Sequence, residues 1–319
     1  MTRSHPIRTE DAAALVPQEF TTFVQRFSSE AGAVGGPSGT DWAAGLPRLL
    51  AELLDAWDLA VTGPASTGWT AVVLPVERDG VPLALKVGWP HVEARDEALV
   101  MRLWEGRGAA HLVSADPHRS ALLLEQLDPA RSLQDLDVDS ACEVTGDLLR
   151  QLHVPAPPQL ERLSSFVHRH TVSVLAADSV LPRRMVERAS GLVQDLLTDP
   201  GCDATLLHGD LHNRNVLHTH AGSGRPDWLA IDPHALAGHP GFEIQPLLRN
   251  RRDELGTGSA FRYLVRRRVE LTCDAAGIDE DVALAWSYVH TAIQAGWAAN
   301  DGDADEVTFN IALLKALDG

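Results

Sequence analysis

Apolar residues recur at helical spacing in two early stretches of the chain. One covers roughly Gln18 to Phe27. The other begins near Pro47, a residue suited to a first helical turn, and runs to about Trp57 through Leu49, Leu50, Leu53 and Leu54. Gly32 to Gly39 between them reads as a loop. The pattern then shortens to strands at Leu59–Thr62, Thr70–Val76 and Val81–Val87, with Asp79-Gly80 as the hairpin turn between the last two. A helix follows over about His91 to Trp104. Ala121 to Leu127 reads as a strand whose continuous apolar run, Ala121 to Leu124, predicts burial on both faces. Beyond Asp128-Pro129 helices dominate: Asp139–His153 with Val144, Leu148, Leu149 and Leu152 on one face, then Ser165–Ala177, Arg183–Leu197 and most of the chain from Pro246. Short β segments interrupt them at Leu206-Leu207, Val216-Leu217 and Leu229–Ile231. The expectation is an α+β protein. A small β-rich lobe with one helix, residues 1–126, precedes a larger, mainly helical lobe, residues 127–319.

Composition narrows the classes of function. The chain has 319 residues, 45% of them hydrophobic, enough for a substantial core. No apolar run is long enough to span a bilayer, so no membrane partner is expected. The stretch MTRSHPIRTEDAAALVPQEF lacks a signal-peptide core, and Cys142, Cys202 and Cys273 form no CxxC pair; both fit a reducing cytoplasm. A net charge of −17 disfavours nucleic acid and suits a cationic partner, although acidity also serves solubility alone. Of the 27 basic residues only Lys86 and Lys315 are lysine. Lys86 therefore marks a place where a compact point charge is needed rather than a planar fork.

The strongest local signal is Leu206-Leu-His-Gly-Asp-Leu-His-Asn-Arg-Asn-Val-Leu217, which puts Asp210 and Asn215 on one tight loop. Asp232 follows the strand Leu229–Ile231. A loop carboxylate, a nearby amide and a second carboxylate at a strand end suit phosphoryl transfer. One carboxylate accepts the proton of an attacking hydroxyl, while the amide and the other carboxylate hold Mg²⁺ against nucleotide phosphates. The bland alternative is that Asp210 and Asn215 are turn-formers satisfying their own backbone. Ala84 and Lys86 share one face of their strand, so a small residue beside a lysine lets an adenine ring approach while the ammonium reaches phosphates. Glu97, in the next helix, is preferred over Glu93 as the partner of Lys86, because it sits nearer the apolar face through Met101 and Trp104. A solvated strand-edge lysine is the alternative. The loop Gly63–Gly68 could cover phosphates through backbone N–H groups, Gly68 included, or be an ordinary turn; it is not a P-loop.

The order of these pieces resembles the bilobal protein-kinase-like fold of the aminoglycoside phosphotransferase family, and within it the streptomycin 6-kinase and hydroxyurea phosphotransferase branch. The residues that carry the resemblance are His208-Gly-Asp-Leu-His-Asn-Arg-Asn-Val-Leu217, Ile231-Asp-Pro233, Leu247-Leu-Arg-Asn250, Leu99 to Gly106 and Ala121 to Pro129. The resemblance implies Asp210 as catalytic base, Asn215 and Asp232 as Mg²⁺ ligands, and Lys86, held by Glu97, on the α- and β-phosphates of ATP. It also implies adenine at the backbone of Glu125 and Leu127, and His208 as a support for the loop. Side chains 86, 210, 215 and 232 would then serve one triphosphate–magnesium unit. Where many relatives carry Asp after the IDP segment, this chain has Glu243.

Two other classes compete. His208 and His212 lie four apart, as in metal-dependent phosphoesterases, but that class needs further His and Asp ligands and leaves Lys86 and Glu97 without a role. A non-catalytic nucleotide-binding module would not need the full set of Lys86, Asp210, Asn215 and Asp232. The expected acceptor is a small hydroxylated molecule, a cationic aminoglycoside of the streptomycin type first, with hydroxyurea or another metabolite as alternatives. His234 and the acidic run Asp301, Asp303, Asp305 and Glu306 are candidate acceptor contacts, a solvated acidic turn being the alternative. The chain is expected to act as a monomer or homodimer.

Overall fold

The computed structural model describes residues 7–28, 36–174 and 179–318. The start of the N-terminal stretch, Gly32 to Gly35 of the predicted loop and the end of the Ser165–Ala177 helix lie outside the described residues. The chain forms two compact units. The first holds residues up to Asp128 together with Thr219–Asp227; the second holds Pro129–His218 and the chain from Trp228 on.

The first unit opens with helices α1 (Thr9–Ala13), α2 (Gln18–Val24) and α3 (Gly39–Ala56). Helix α3 starts well before Pro47. The Ser38 hydroxyl caps it by accepting the Asp41 N–H at 3.1 Å, and Pro47 lies inside. An interior proline costs about 3 kcal/mol. Burial of Trp42, Leu46, Leu50, Leu53 and Leu54 along one stripe, at about 1.5–3 kcal/mol per side chain, outweighs it. The stripe extends back through Trp42, which is why the proline does not begin the helix.

Strands β1 (Ala60–Val61), β2 (Ser66–Thr67), β3 (Ala71–Arg78) and β4 (Val81–Gly88) follow. Helix α4 is Glu97–Trp104, and β5 (Leu112–Asp116) and β6 (Ala121–Glu125) complete an antiparallel sheet in the order β1-β3-β4-β6-β5, with β2 also paired to β3. In β4, Leu83, Leu85 and Val87 are buried, while Ala84 and Lys86 share the half-buried face. Leu85 opposes Leu123 and Lys86 opposes Leu122 across the β4–β6 pair. All four residues from Ala121 to Leu124 are buried, as their uninterrupted apolar run requires. Helix α4 begins later than His91, because the segment before it turns.

Next come β7 (Asp128–Ser132), α5 (Val138–Leu152), α6 (Leu163–Val174) and α7 (Arg183–Leu196). Three-residue strands β8 (Thr205–Leu207), β9 (Val216–His218), β10 (Trp228–Ala230) and β11 (Leu236–Gly238) then form two small sheets, β10-β9-β7 and β11-β8. Helices α8 (Gln245–Leu248), α9 (Ser259–Ala276), α10 (Glu280–Asn300) and α11 (Ala304–Leu317) close the chain. Gly146 lets α5 and α9 meet closely: a Cβ there would lie 2.6 Å from the Thr272 carbonyl oxygen. Cys142, Cys202 and Cys273 are buried and unpaired, and burial pushes their thiols up to about 11, 12 and 12. Among the described residues no helix is long and apolar enough to cross a membrane.

His290 on α10 is 5% exposed and stacks on Phe242 with ring centres 4.1 Å apart. Burial first, and Arg249 second, push its pKa down to about 3. The unfolded chain takes up a proton near pH 6.5 that the folded chain refuses. Stability is therefore full above pH 6.5 and falls as pH drops toward 3. At pH 5 the loss from this residue is about 2 kcal/mol. Urea midpoints at pH 7 and pH 5 should differ accordingly, and His290→Leu should remove that part of the slope. Equal slopes in the two proteins would refute the assignment.

Candidate active site

The loop that follows β8 is built around a buried carboxylate. Glu243, 1% exposed, accepts the His208 N–H and, at 3.0 Å, the Gly209 N–H. These two bonds aim the loop. Gly209 has φ +80°, and a Cβ there would come within 2.0 Å of the His234 carbonyl oxygen, so only glycine fits. His208 is fully buried. Its Nε2 lies 3.0 Å from the Ile231 carbonyl oxygen, while its Nδ1 accepts the Asp210 N–H at 3.3 Å. That pattern assigns the neutral tautomer protonated on Nε2, and burial keeps the ring neutral. Both nitrogens are engaged within the loop, which fits a support and not a metal ligand.

Asp210 follows with its carboxylate 28% exposed. Asn215 Nδ2 donates to the Asp210 carbonyl at 2.9 Å and to Oδ2 at 3.3 Å, which points the amide oxygen of Asn215, in the same plane, away from these two acceptors. Asn215 itself is 8% exposed, on a short 3₁₀ turn, Asn213–Asn215, capped by His212. Its carbonyl accepts the Ile231 N–H at 2.9 Å, and Val216 opposes Ala230 in the β9–β10 pair. Asp232 therefore leaves β10 beside Asn215. Its φ of +59° is a conformation that aspartate tolerates better than most residues. Burial raises the pKa of Asp210; Asp232 adds to the rise, while His234, His208 and Arg249 oppose it. The loop thus brings Asp210, Asn215 and Asp232 together within the second unit, and His234 joins them through its N–H bond to the His208 carbonyl at 2.8 Å.

In the first unit, Lys86 Nζ meets both oxygens of Glu97, at 2.7 and 2.8 Å, and the two side chains are 13% and 6% exposed. Glu97, not Glu93, makes this pair. Glu93 is exposed in the turn before α4. Ala84 lies two residues from Lys86 on the same half-buried face. At the end of β6 the Glu125 N–H goes to the His111 carbonyl, and Leu127 is buried. Ser66 and Thr67 of the glycine-bounded loop form β2, and the Gly68 N–H closes a turn onto the Ala71 carbonyl at 2.9 Å.

The acidic run near the C-terminus divides. Asp301 ends α10 and is exposed. Asp303 is the N-cap of α11, its carboxylate accepting the Glu306 N–H at 2.9 Å. Glu306 is the member linked inward, by Arg252 at 2.6 Å and Arg249 at 3.8 Å. Arg249, within electrostatic reach of Asp210, sits in the Leu247–Asn250 segment. Asn250 Oδ1 from the same segment accepts the Asn213 N–H at 2.9 Å and braces the turn.

The oxygen donors present fit magnesium. That ion is held by one or two carboxylates together with substrate phosphates, without a protein cage. Among the described residues no group of three or more His, Cys, Asp or Glu side chains could hold a metal by itself.

Comparison with known proteins agrees. The family described as "Aminoglycoside/hydroxyurea antibiotic resistance kinase" matches residues 56–302. Streptomycin 6-kinase of Streptomyces glaucescens is 36% identical over 89% of this chain and 93% of its own length. Hydroxyurea phosphotransferase of Kitasatospora aureofaciens is 35% identical over 98% of this chain and 88% of its own. A thermostable mutant of aminoglycoside phosphotransferase APH(4)-Ia, solved as a ternary complex with ADP and hygromycin B, shares the fold with a TM-score of 0.52 at 17% identity, covering 83% of this chain and 96% of that one. The protein-kinase-like fold is thus established, and the chain is a member of the aminoglycoside/hydroxyurea antibiotic resistance kinase family.

Proposed function

We propose that the protein is an ATP- and Mg²⁺-dependent O-phosphotransferase that inactivates an aminoglycoside of the streptomycin type by phosphorylating a hydroxyl. The observation that carries the reading is the Asp210 loop, in which Glu243 fixes the backbone and Asn215 fixes the carboxylate. Asp210 takes the proton of the acceptor hydroxyl as that oxygen bonds to the γ-phosphorus and the bond to the β-phosphate oxygen breaks, leaving ADP. Lys86, oriented by Glu97, contacts the α- and β-phosphates. Ala84 and the chain from Glu125 to Leu127 receive adenine. Asn215 and Asp232 would hold Mg²⁺, which neutralises phosphate charge when bound. His234 would contact the acceptor, and Asp301 and Asp303, the latter also capping α11, would supply negative charge, with Glu306 paired to Arg249 next to them.

Relatives named for streptomycin and for hydroxyurea are almost equally similar, so identity does not choose between them. The net charge of −17 favours a polycationic acceptor over neutral hydroxyurea. ADP release should be measured with streptomycin, hygromycin B, hydroxyurea and simple polyols. Turnover is expected with streptomycin and should vanish with EDTA. ADP release with none of these acceptors would defeat the reading.

A further inference from the structure

Arg225 has no role in the reading above. Its neighbourhood, His220-Ala-Gly-Ser-Gly-Arg-Pro226, reads as an ordinary surface turn. The structure gives it a different place. Thr219–Asp227 belongs to the first unit, although the chain on either side does not. The loop is closed by the Thr219 N–H on the Asp227 carbonyl at 2.8 Å and by the Thr219 hydroxyl on the Pro226 carbonyl at 2.9 Å. It presents one guanidinium to four acceptors. Arg225 Nε reaches Glu125 Oε2 at 3.2 Å. Its Nη2 reaches Glu125 Oε1 at 2.9 Å, the Gly106 carbonyl at 2.6 Å and the Ala109 carbonyl at 3.4 Å.

The receiving side is built for this group. Gly106 has φ +79°, a backbone conformation that favours glycine, and a Cβ there would stand 2.9 Å from Nη2, so the guanidinium would have to shift. Glu125 Oε1 also accepts the His111 N–H at 2.6 Å, and the Glu125 N–H returns to the His111 carbonyl. The turn after α4, the approach to β5 and the last residue of β6 are thereby fastened to one planar cation. Arg225 and Glu125 are 31% and 20% exposed, so the fork is partly desolvated and stronger than a surface pair. A lysine could not make it, because an ammonium lacks the two parallel donors.

We propose that Arg225 is a positioning residue for the nucleotide: by fixing the Glu125 carboxylate it sets the course of the main chain from Glu125 to Leu127, where a purine base would be received. The inference rests on the kinase reading and adds a residue that touches neither substrate nor phosphate. ATP affinity should be measured by calorimetry and turnover by ADP release, for the wild type, Arg225→Ala and Arg225→Lys. The expected result is an ATP Kd and KM raised about tenfold in Arg225→Ala, with kcat and the acceptor KM within about twofold, and a smaller rise in Arg225→Lys. A purely structural role would instead lower kcat and raise both KM values together. Unchanged ATP affinity in the variants, or a loss shared equally by kcat and acceptor KM, overturns the proposal. Should Arg225→Ala fail to fold, Arg225→Lys decides on the same criteria. Failure of the wild type itself to bind ATP would sink the kinase reading, a separate outcome.

Discussion

Replacing Asp210 by asparagine should lower phosphoryl transfer on the order of 10³-fold while leaving ATP affinity nearly unchanged. Asparagine keeps the side-chain volume and an oxygen for the Asn215 amide, now 3.3 Å from Oδ2. The two bonds from the loop backbone to Glu243 do not involve the Asp210 side chain. What is lost is the ability to accept a proton at that position. Single-turnover ADP formation measures the first quantity and calorimetry with ATP the second. Wild-type rates in the variant would remove Asp210 from the role of base. A parallel collapse of ATP binding would show instead that it holds the nucleotide.

The second large effect concerns Lys86 and Glu97. Their side chains are 13% and 6% exposed, so either one left alone faces a low-dielectric interior. Lys86→Met alone, or Glu97→Leu alone, should destabilise the protein by about 3–5 kcal/mol, because each takes the two-oxygen ion pair away from a buried charge. The double variant Lys86→Met with Glu97→Leu should recover most of that stability, since matched apolar groups replace a buried pair at little cost. It should not recover ATP turnover. Urea denaturation and ADP release on the same samples separate the two. If the double variant regains activity along with stability, the pair is only a structural contact.

These two sites were also the most legible in the amino-acid sequence, for physical reasons. Asp210 and Asn215 lie on one tight loop, and Asp232 follows a strand that pairs back onto the one leaving Asn215, so local chain geometry alone gathers them. Lys86 and Glu97 are eleven residues apart, and α4 begins at Glu97, which places that carboxylate where the strand needs it. The long-range partners were not legible in the same way. The bond from Glu243 to His208 spans 35 residues, and that from Arg225 to Glu125 spans 100. No periodicity encodes such distances. Arg225 is one arginine among 25 basic residues of the same kind, so its identity carried no signal, whereas the scarcity of lysine singled out Lys86. Helix α3 starts at Gly39 and not near Pro47, because the apolar stripe reaching back to Trp42 outweighs the first-turn preference of proline. Strand β5 escaped because it is half-buried along its whole length, without the alternation that marks a strand with one wet face.

The three thiols, hidden and held near 11 to 12, stay almost wholly protonated at neutral pH. A maleimide therefore finds no ready target on the native chain. A single cysteine placed at an exposed position such as Trp69 becomes a unique attachment point for a fluorophore, with no background mutations needed.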